Sequence, residues 1–157
     1  MGPPGVGKGT QANILKDNFN IPHLSTGEIL RNEIKVNSDI GKISKNYIDD
    51  GLFVPDNILI KIIERYITNN NSNKGYILDG YPRNLLQVED LKKLLSKINQ
   101  SIDFAISLRA EKKEVIKRLI KRSEDSGRSD DTLKIISKRQ DVYWEQTAPI
   151  IEYYNKL

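Results

Sequence analysis

MGPPGVGKGT, residues 1–10, contains the run Gly2-Pro3-Pro4-Gly5-Val6-Gly7-Lys8, which fits the pattern G-x-x-x-x-G-K. A loop with so little side-chain bulk lets the backbone curl around an anion and aim successive N–H groups at phosphate oxygens. A lysine directly after the last glycine reaches the β and γ phosphates. A helix starting at the same point turns its positive end toward the same charges. Residues 8–19, KGTQANILKDNF, supply that helix, with Ala12, Leu15 and Phe19 on one face. One position departs from the commonest form. Gly9 stands where most such loops carry a Ser or Thr that ligates magnesium, with Thr10 one step later, so the metal has to be held in another way.

Outward from the loop, helical periodicity alternates with short apolar runs. The spacing predicts a strand at 21–25 (IPHLS) and helices at 26–35 and 41–50 separated by VNSDIG. A longer helix follows at 54–67, its entry marked by Pro55 and Asp56. The polar connector TNNNSNKG leads into YILDG at 76–80, an apolar run closed by a carboxylate and a glycine. A helix over 85–98, a strand DFAISLRA at 103–110 and a helix at 111–122 come next. The polar loop SEDSGRSDD, 123–131, precedes two final helical stretches broken at Pro149. Helices alternating with short apolar strands define an α/β domain built on a parallel sheet.

At 157 residues the chain suits one domain with a real core, and 38% apolar with 29% charged residues places it among folded rather than disordered proteins. The net charge of +4 favours anionic partners without choosing among nucleotides, nucleic acid and acidic lipid. No recognition fold for nucleic acid accompanies that charge. No apolar run approaches a membrane span and the N-terminus lacks a secretory layout, so a cytoplasmic location is the expectation. The absence of cysteine excludes disulfides and thiolate metal sites. The single histidine, His23, reads as a packing or hydrogen-bonding residue.

The loop variant GPPGVGKGTQ resembles the adenylate kinases and their nucleoside-monophosphate-kinase relatives. The rest of the chain matches them in order: LSTGEILR (24–31), VPD (54–56), DGYPR (79–83) with Gln87 after it, RLIKR (118–122), GRSDD (127–131) and TAPIIEYY (147–154). The resemblance implies a P-loop nucleoside monophosphate kinase fold and the reaction MgATP + AMP ⇌ 2 ADP, with Mg2+ arriving on ATP and no structural zinc. Phosphoryl transfer between two polyanions needs charge neutralisation and in-line placement more than proton chemistry. By resemblance, Gly5, Val6, Gly7, Lys8, Gly9 and Thr10 hold ATP, while Arg31 and Arg83 grip the AMP phosphate. Arg118, Arg122, Arg128 and Arg139 gather around the ATP phosphates and the transferring group, the last two also reaching toward AMP. Arg118 and Arg122 lie four apart and share a helix face, as two forks aimed at one ligand should. Thr26, Val54, Gly80 and Gln87 match positions around AMP. Asp79, closing an apolar strand, is placed to hold magnesium through water. Asp130 and Asp131 follow the lid arginine and are expected to help closure. The triplet Ser25-Thr26-Gly27, where pyrimidine-specific relatives tend to carry SAG, favours AMP over UMP or CMP; Glu28 replaces the commoner aspartate and keeps its charge.

The same resemblance divides the single domain into a core (1–25, 56–121 and 133–157), an AMP-binding insert (26–55) and a short lid (122–132) with no room for a zinc-binding hairpin. The family's parallel sheet has five strands, the central one directly before the phosphate loop. Three candidates are present here, at 21–25, 76–79 and 104–108, so the first and last strands are expected to be missing. Loss of a central strand leaves its neighbours without ladder partners and exposes a trough of core. Three functions are therefore open: adenylate kinase, a truncated and catalytically impaired nucleotide-binding remnant, and UMP/CMP kinase. A monomer is expected.

Overall fold

Among the described residues, 1–69, 74–126 and 129–156, the computed structural model has eight α-helices around a two-stranded parallel sheet. The order is α1 (Lys8–Phe19), β1 (His23–Ser25), α2 (Thr26–Lys35), α3 (Asp39–Asp49), α4 (Asp56–Asn69), β2 (Ile77–Asp79), α5 (Leu85–Lys97) and α6 (Lys112–Ser126). A 3-10 turn (Ser129–Asp131) leads to α7 (Leu133–Val142), which passes through a π-helical turn (Tyr143–Thr147) into α8 (Ala148–Tyr154). In the sheet, His23 pairs with Ile77, Leu24 with Leu78 and Ser25 with Asp79. Both strands end level, so Thr26 and Gly80 emerge together at the carboxyl edge, where α/β sheets carry their ligands.

The core lies between the sheet and two helices. Leu59, Ile62, Ile63 and Ile67 form the inner stripe of α4, Leu91, Leu94 and Leu95 that of α5, and both close on Leu24. A smaller cluster of Val115, Leu119 and Ile136 joins α6 to α7. Local signals set the helix ends. The Ser38 hydroxyl accepts from Gly41 N at 3.0 Å, which starts α3 two residues ahead of the position expected from periodicity; the Asn84 amide oxygen accepts from Gln87 N at 2.8 Å at the head of α5. Gly41 also lets α3 close on α2, since a Cβ there would run into the Glu33 carbonyl.

Two expectations need correction. Residues 103–110 do not form a strand. Among the described residues their backbone is laddered at two points: the Met1 ammonium donates to Ile106 O, and Leu108 N donates to Met1 O at 2.9 Å. A strand requires a continuous ladder, and two bonds to Met1 do not make one. Phe104 is 85% exposed as a result. Between β2 and this segment runs a trough of about 1030 Å³ bordered by Leu15, Ile77, Leu91 and Ala105. Pro149, in turn, does not break a helix. It sits in the first turn of α8, directly after the π-helical turn, and the helical run continues through it to Tyr154. No helix among the described residues is long and apolar enough to cross a membrane.

Candidate active site

The glycine loop hangs between Met1 and α1. Gly2, Gly5 and Gly7 adopt φ of 139°, 85° and 101°, values that a side chain disfavours. At Gly5 space is limiting as well, because a Cβ would stand 2.7 Å from Leu119 Cγ and 2.8 Å from Val115 O. That contact seats the loop on α6, the helix carrying Arg118 and Arg122. Lys8 Nζ folds back over the loop and donates to Gly2 O at 2.7 Å and Pro3 O at 3.1 Å. Burial pushes its ammonium down to about 8; Asp79 opposes this, while Arg83, Arg139 and Arg122 add to it.

Asp79 ends β2 opposite the loop. Gly9 faces it across the loop, and a Cβ there would make only ordinary contact with Asp79 Oδ2, at 3.8 Å. An oxygen donor beside a phosphate loop fits a hydrated magnesium ion. His23 bonds Asn13 Oδ1 through Nδ1 at 3.0 Å, in keeping with its expected hydrogen-bonding role, while its buried Nε2 lies 3.4 Å from Asp79 Oδ2 without a hydrogen bond.

The Asp79–Arg83 turn is equally constrained. Gly80 has φ 78°, and a Cβ on it would meet Thr26 Oγ1 at 2.8 Å and Arg83 Nη2 at 2.9 Å. Thr26, 1% exposed, donates its hydroxyl to Gly80 O at 2.9 Å. Arg83 Nε donates to Gly80 O at 2.6 Å, and the Arg83 guanidinium lies 5.1 Å from the Phe53 ring centroid. The 3-10 turn contributes two carboxylates. Asp131, its side chain fully buried, takes a bidentate pair from Arg122 at 2.6 and 2.7 Å and a further bond from Arg139 at 2.8 Å. Arg139 also donates to Asp130 Oδ2 at 2.8 Å. Arg118 is half-exposed and pairs with Glu114 at 2.8 Å.

Lys8, Arg31, Arg83, Arg118, Arg122 and Arg139 all line one cleft of about 950 Å³, together with Asp79 and Asp130. Gly5, Val6, Gly7, Gly9, Thr10, Thr26, Val54 and Gly80 stand on the same walls. Arg128 lies outside the described residues, as does part of the 122–132 segment. Gln87 is not brought to the cleft. It is fully buried behind Arg83, with Nε2 donating to Asp56 Oδ1 at 2.6 Å and Oε1 accepting from Arg83 N at 2.7 Å. Sequence reasoning missed Phe53, Gln140, which donates to Pro4 O at 3.0 Å, and Thr147, which donates to Arg83 O at 2.7 Å. Thr147 lay inside a recognised motif, TAPIIEYY, whereas nothing in the local sequence singled out the other two.

A cleft in which a glycine loop, a lysine and five arginines converge, with Asp79 facing the loop, is suited to phosphate-bearing ligands. Comparison with known proteins agrees. The family model described as Adenylate kinase matches residues 1–157. The chain is 44% identical over 154 residues to an adenylate kinase of Cyanothece sp., covering 98% of this chain and 79% of that protein. It is 42% identical to one of Parabacteroides distasonis (98% and 81%) and 44% identical to one of Phocaeicola vulgatus (98% and 82%). By its cleft and by these matches, the chain belongs to the adenylate kinase family.

Proposed function

We propose that the chain catalyses MgATP + AMP ⇌ 2 ADP, with the roles of its cleft residues assigned as follows. A phosphate oxygen of AMP attacks Pγ, the bond from Pγ to the β–γ bridging oxygen breaks, and ADP leaves; the attacking oxygen is already anionic and no base is required. The loop amides and Lys8 hold the β and γ phosphates. Arg118, Arg122 and Arg139 neutralise charge on the transferring group, and Arg31 and Arg83 fix the monophosphate. Thr26 and Val54 wall the base on the AMP side, and Gln87 acts from behind through the Arg83 backbone. Asp79 would orient the hydration shell of the magnesium carried by ATP, which supplies charge neutralisation. The observation that carries this reading is the meeting of Lys8, Arg83 and Arg122 in a single cleft.

The test is ADP formation from ATP with AMP, UMP or CMP as acceptor. AMP-dependent ADP well ahead of the pyrimidine nucleotides is expected. Equal or better use of UMP or CMP would reassign the acceptor, and no acceptor-dependent ADP from folded protein would leave a non-catalytic nucleotide binder.

Lys8 gives this reading a pH signature. Its ammonium titrates near 8 in the fold against an ordinary 10.5, and bound phosphates raise it again. ATP binding therefore takes up a proton above pH 8, and affinity falls as pH rises through that value. Calorimetry of ATP binding in two buffers of different ionisation enthalpy should show the uptake in the native chain and its absence in Lys8→Met. The same depression makes folding stability rise with pH between about 8 and 10.5, because over that range the unfolded chain binds more protons.

A further inference from the structure

Arg83 occupies a place where an arginine is hard to keep. Burial and the neighbouring Arg139 push its guanidinium down to about 10. Among the described residues no carboxylate lies within ion-pair distance of it, and the one hydrogen bond of its side chain goes to Gly80 O. With no carboxylate to hold it, the guanidinium on the cleft wall is aimed by its contacts with Gly80 O and the Phe53 ring and by the backbone that bears it.

That backbone is gripped on both sides. The Arg83 N–H donates to Gln87 Oε1 at 2.7 Å, and Asp56 orients Gln87 while also accepting from Asn84 Nδ2 at 3.1 Å. The Arg83 carbonyl accepts from Thr147 Oγ1 at 2.7 Å. The first grip is nearly local, four residues along the chain. The second spans 64 residues and comes from the π-helical turn, which closes with Ala148 N–H bonded to Tyr143 O. One extra residue in a helical ladder rotates everything after it by about 100°. In this turn the offset leaves Thr147, 6% exposed, facing Arg83. The same helical unit reaches the phosphate loop through Gln140 and Pro4 O. It touches both halves of the cleft.

We propose that Thr147 is a positioning residue for Arg83: its hydroxyl, delivered by the π-helical turn, fixes the Arg83 carbonyl so that the guanidinium meets the monophosphate of the acceptor. This rests on the function proposed above. Thr147→Val keeps the shape and removes the donor. It should raise KM for AMP by about five- to twentyfold, the effect of one lost hydrogen bond and an unmatched carbonyl. KM for ATP should stay within about twofold, and Thr147→Ser should restore most of the AMP affinity. In an Arg83→Ala background, Thr147→Val should add nothing further. If the valine variant melts early, Thr147→Ala removes the same donor and takes its place.

An unchanged KM for AMP, an equal rise for both nucleotides, failure of the serine rescue, or a full effect persisting without Arg83 would each overturn the proposal. Wild-type chain without AMP-dependent ADP would instead defeat the functional reading. An active wild type, impaired on AMP by Arg83→Ala and indifferent to Thr147→Val, would defeat only the positioning role.

Discussion

Lys8→Met is expected to lower kcat by about two to three orders of magnitude, the range seen when one preorganised donor to a developing charge is removed. Lys8 follows the loop directly, and its contacts to Gly2 O and Pro3 O show that Nζ folds back over the loop. Methionine has a similar length and volume and no charge, so the change removes the electrostatic contribution and leaves the packing nearly intact. The fold should not suffer. The depressed Lys8 ammonium is itself a sign that burial disfavours the charge, so the melting temperature is expected to hold or rise slightly. Single-turnover rates with melting curves on the same samples check both halves. A variant retaining more than about a third of wild-type kcat would show that Lys8 does not act on the transferring group.

The elements that were legible in the sequence are those fixed by neighbours in the chain. Helix α1 runs from Lys8 to Phe19 as its apolar spacing and the glycine before it require, and Thr26–Lys35 was equally readable. The phosphate loop could be read from side-chain sizes alone, since positive φ at Gly5 and Gly7 leaves few other residues possible. Strand formation at 103–110 could not, because a strand exists only if another backbone lies beside it, and Met1 offers two hydrogen bonds. The location of Gln87 was hidden for a related reason. Its motif position suggested a ligand contact, but Asp56, 31 residues earlier, claims its amide and draws it beneath Arg83. Arg31, Arg83, Arg118, Arg122 and Arg139, by contrast, line one cleft, while Arg128 lies outside the described residues.

Removing Asp131 is expected to have the largest effect on stability. Its buried carboxylate is the shared counter-ion of Arg122 and Arg139, with three hydrogen bonds of 2.6 to 2.8 Å. Taking one partner from a buried ion cluster typically costs about 3–5 kcal/mol, because the charges left behind have already lost their water. The Arg122 side chain is 33% exposed and can rehydrate in part, which brings the expected loss for Asp131→Ala to about 2–4 kcal/mol. Against a total of about 5–15 kcal/mol for a domain, that is a large fraction, and urea titration followed by circular dichroism would measure it. Nucleotide should then recover part of the loss. Both arginines line the cleft, so triphosphate oxygens can replace the missing carboxylate, and saturating ATP should raise the melting temperature of Asp131→Ala by more than it raises that of the wild type. A loss below about 1 kcal/mol would mean that water already screens the cluster. An equal or smaller nucleotide shift in the variant would mean that Arg122 and Arg139 are committed to the fold and not to the phosphates.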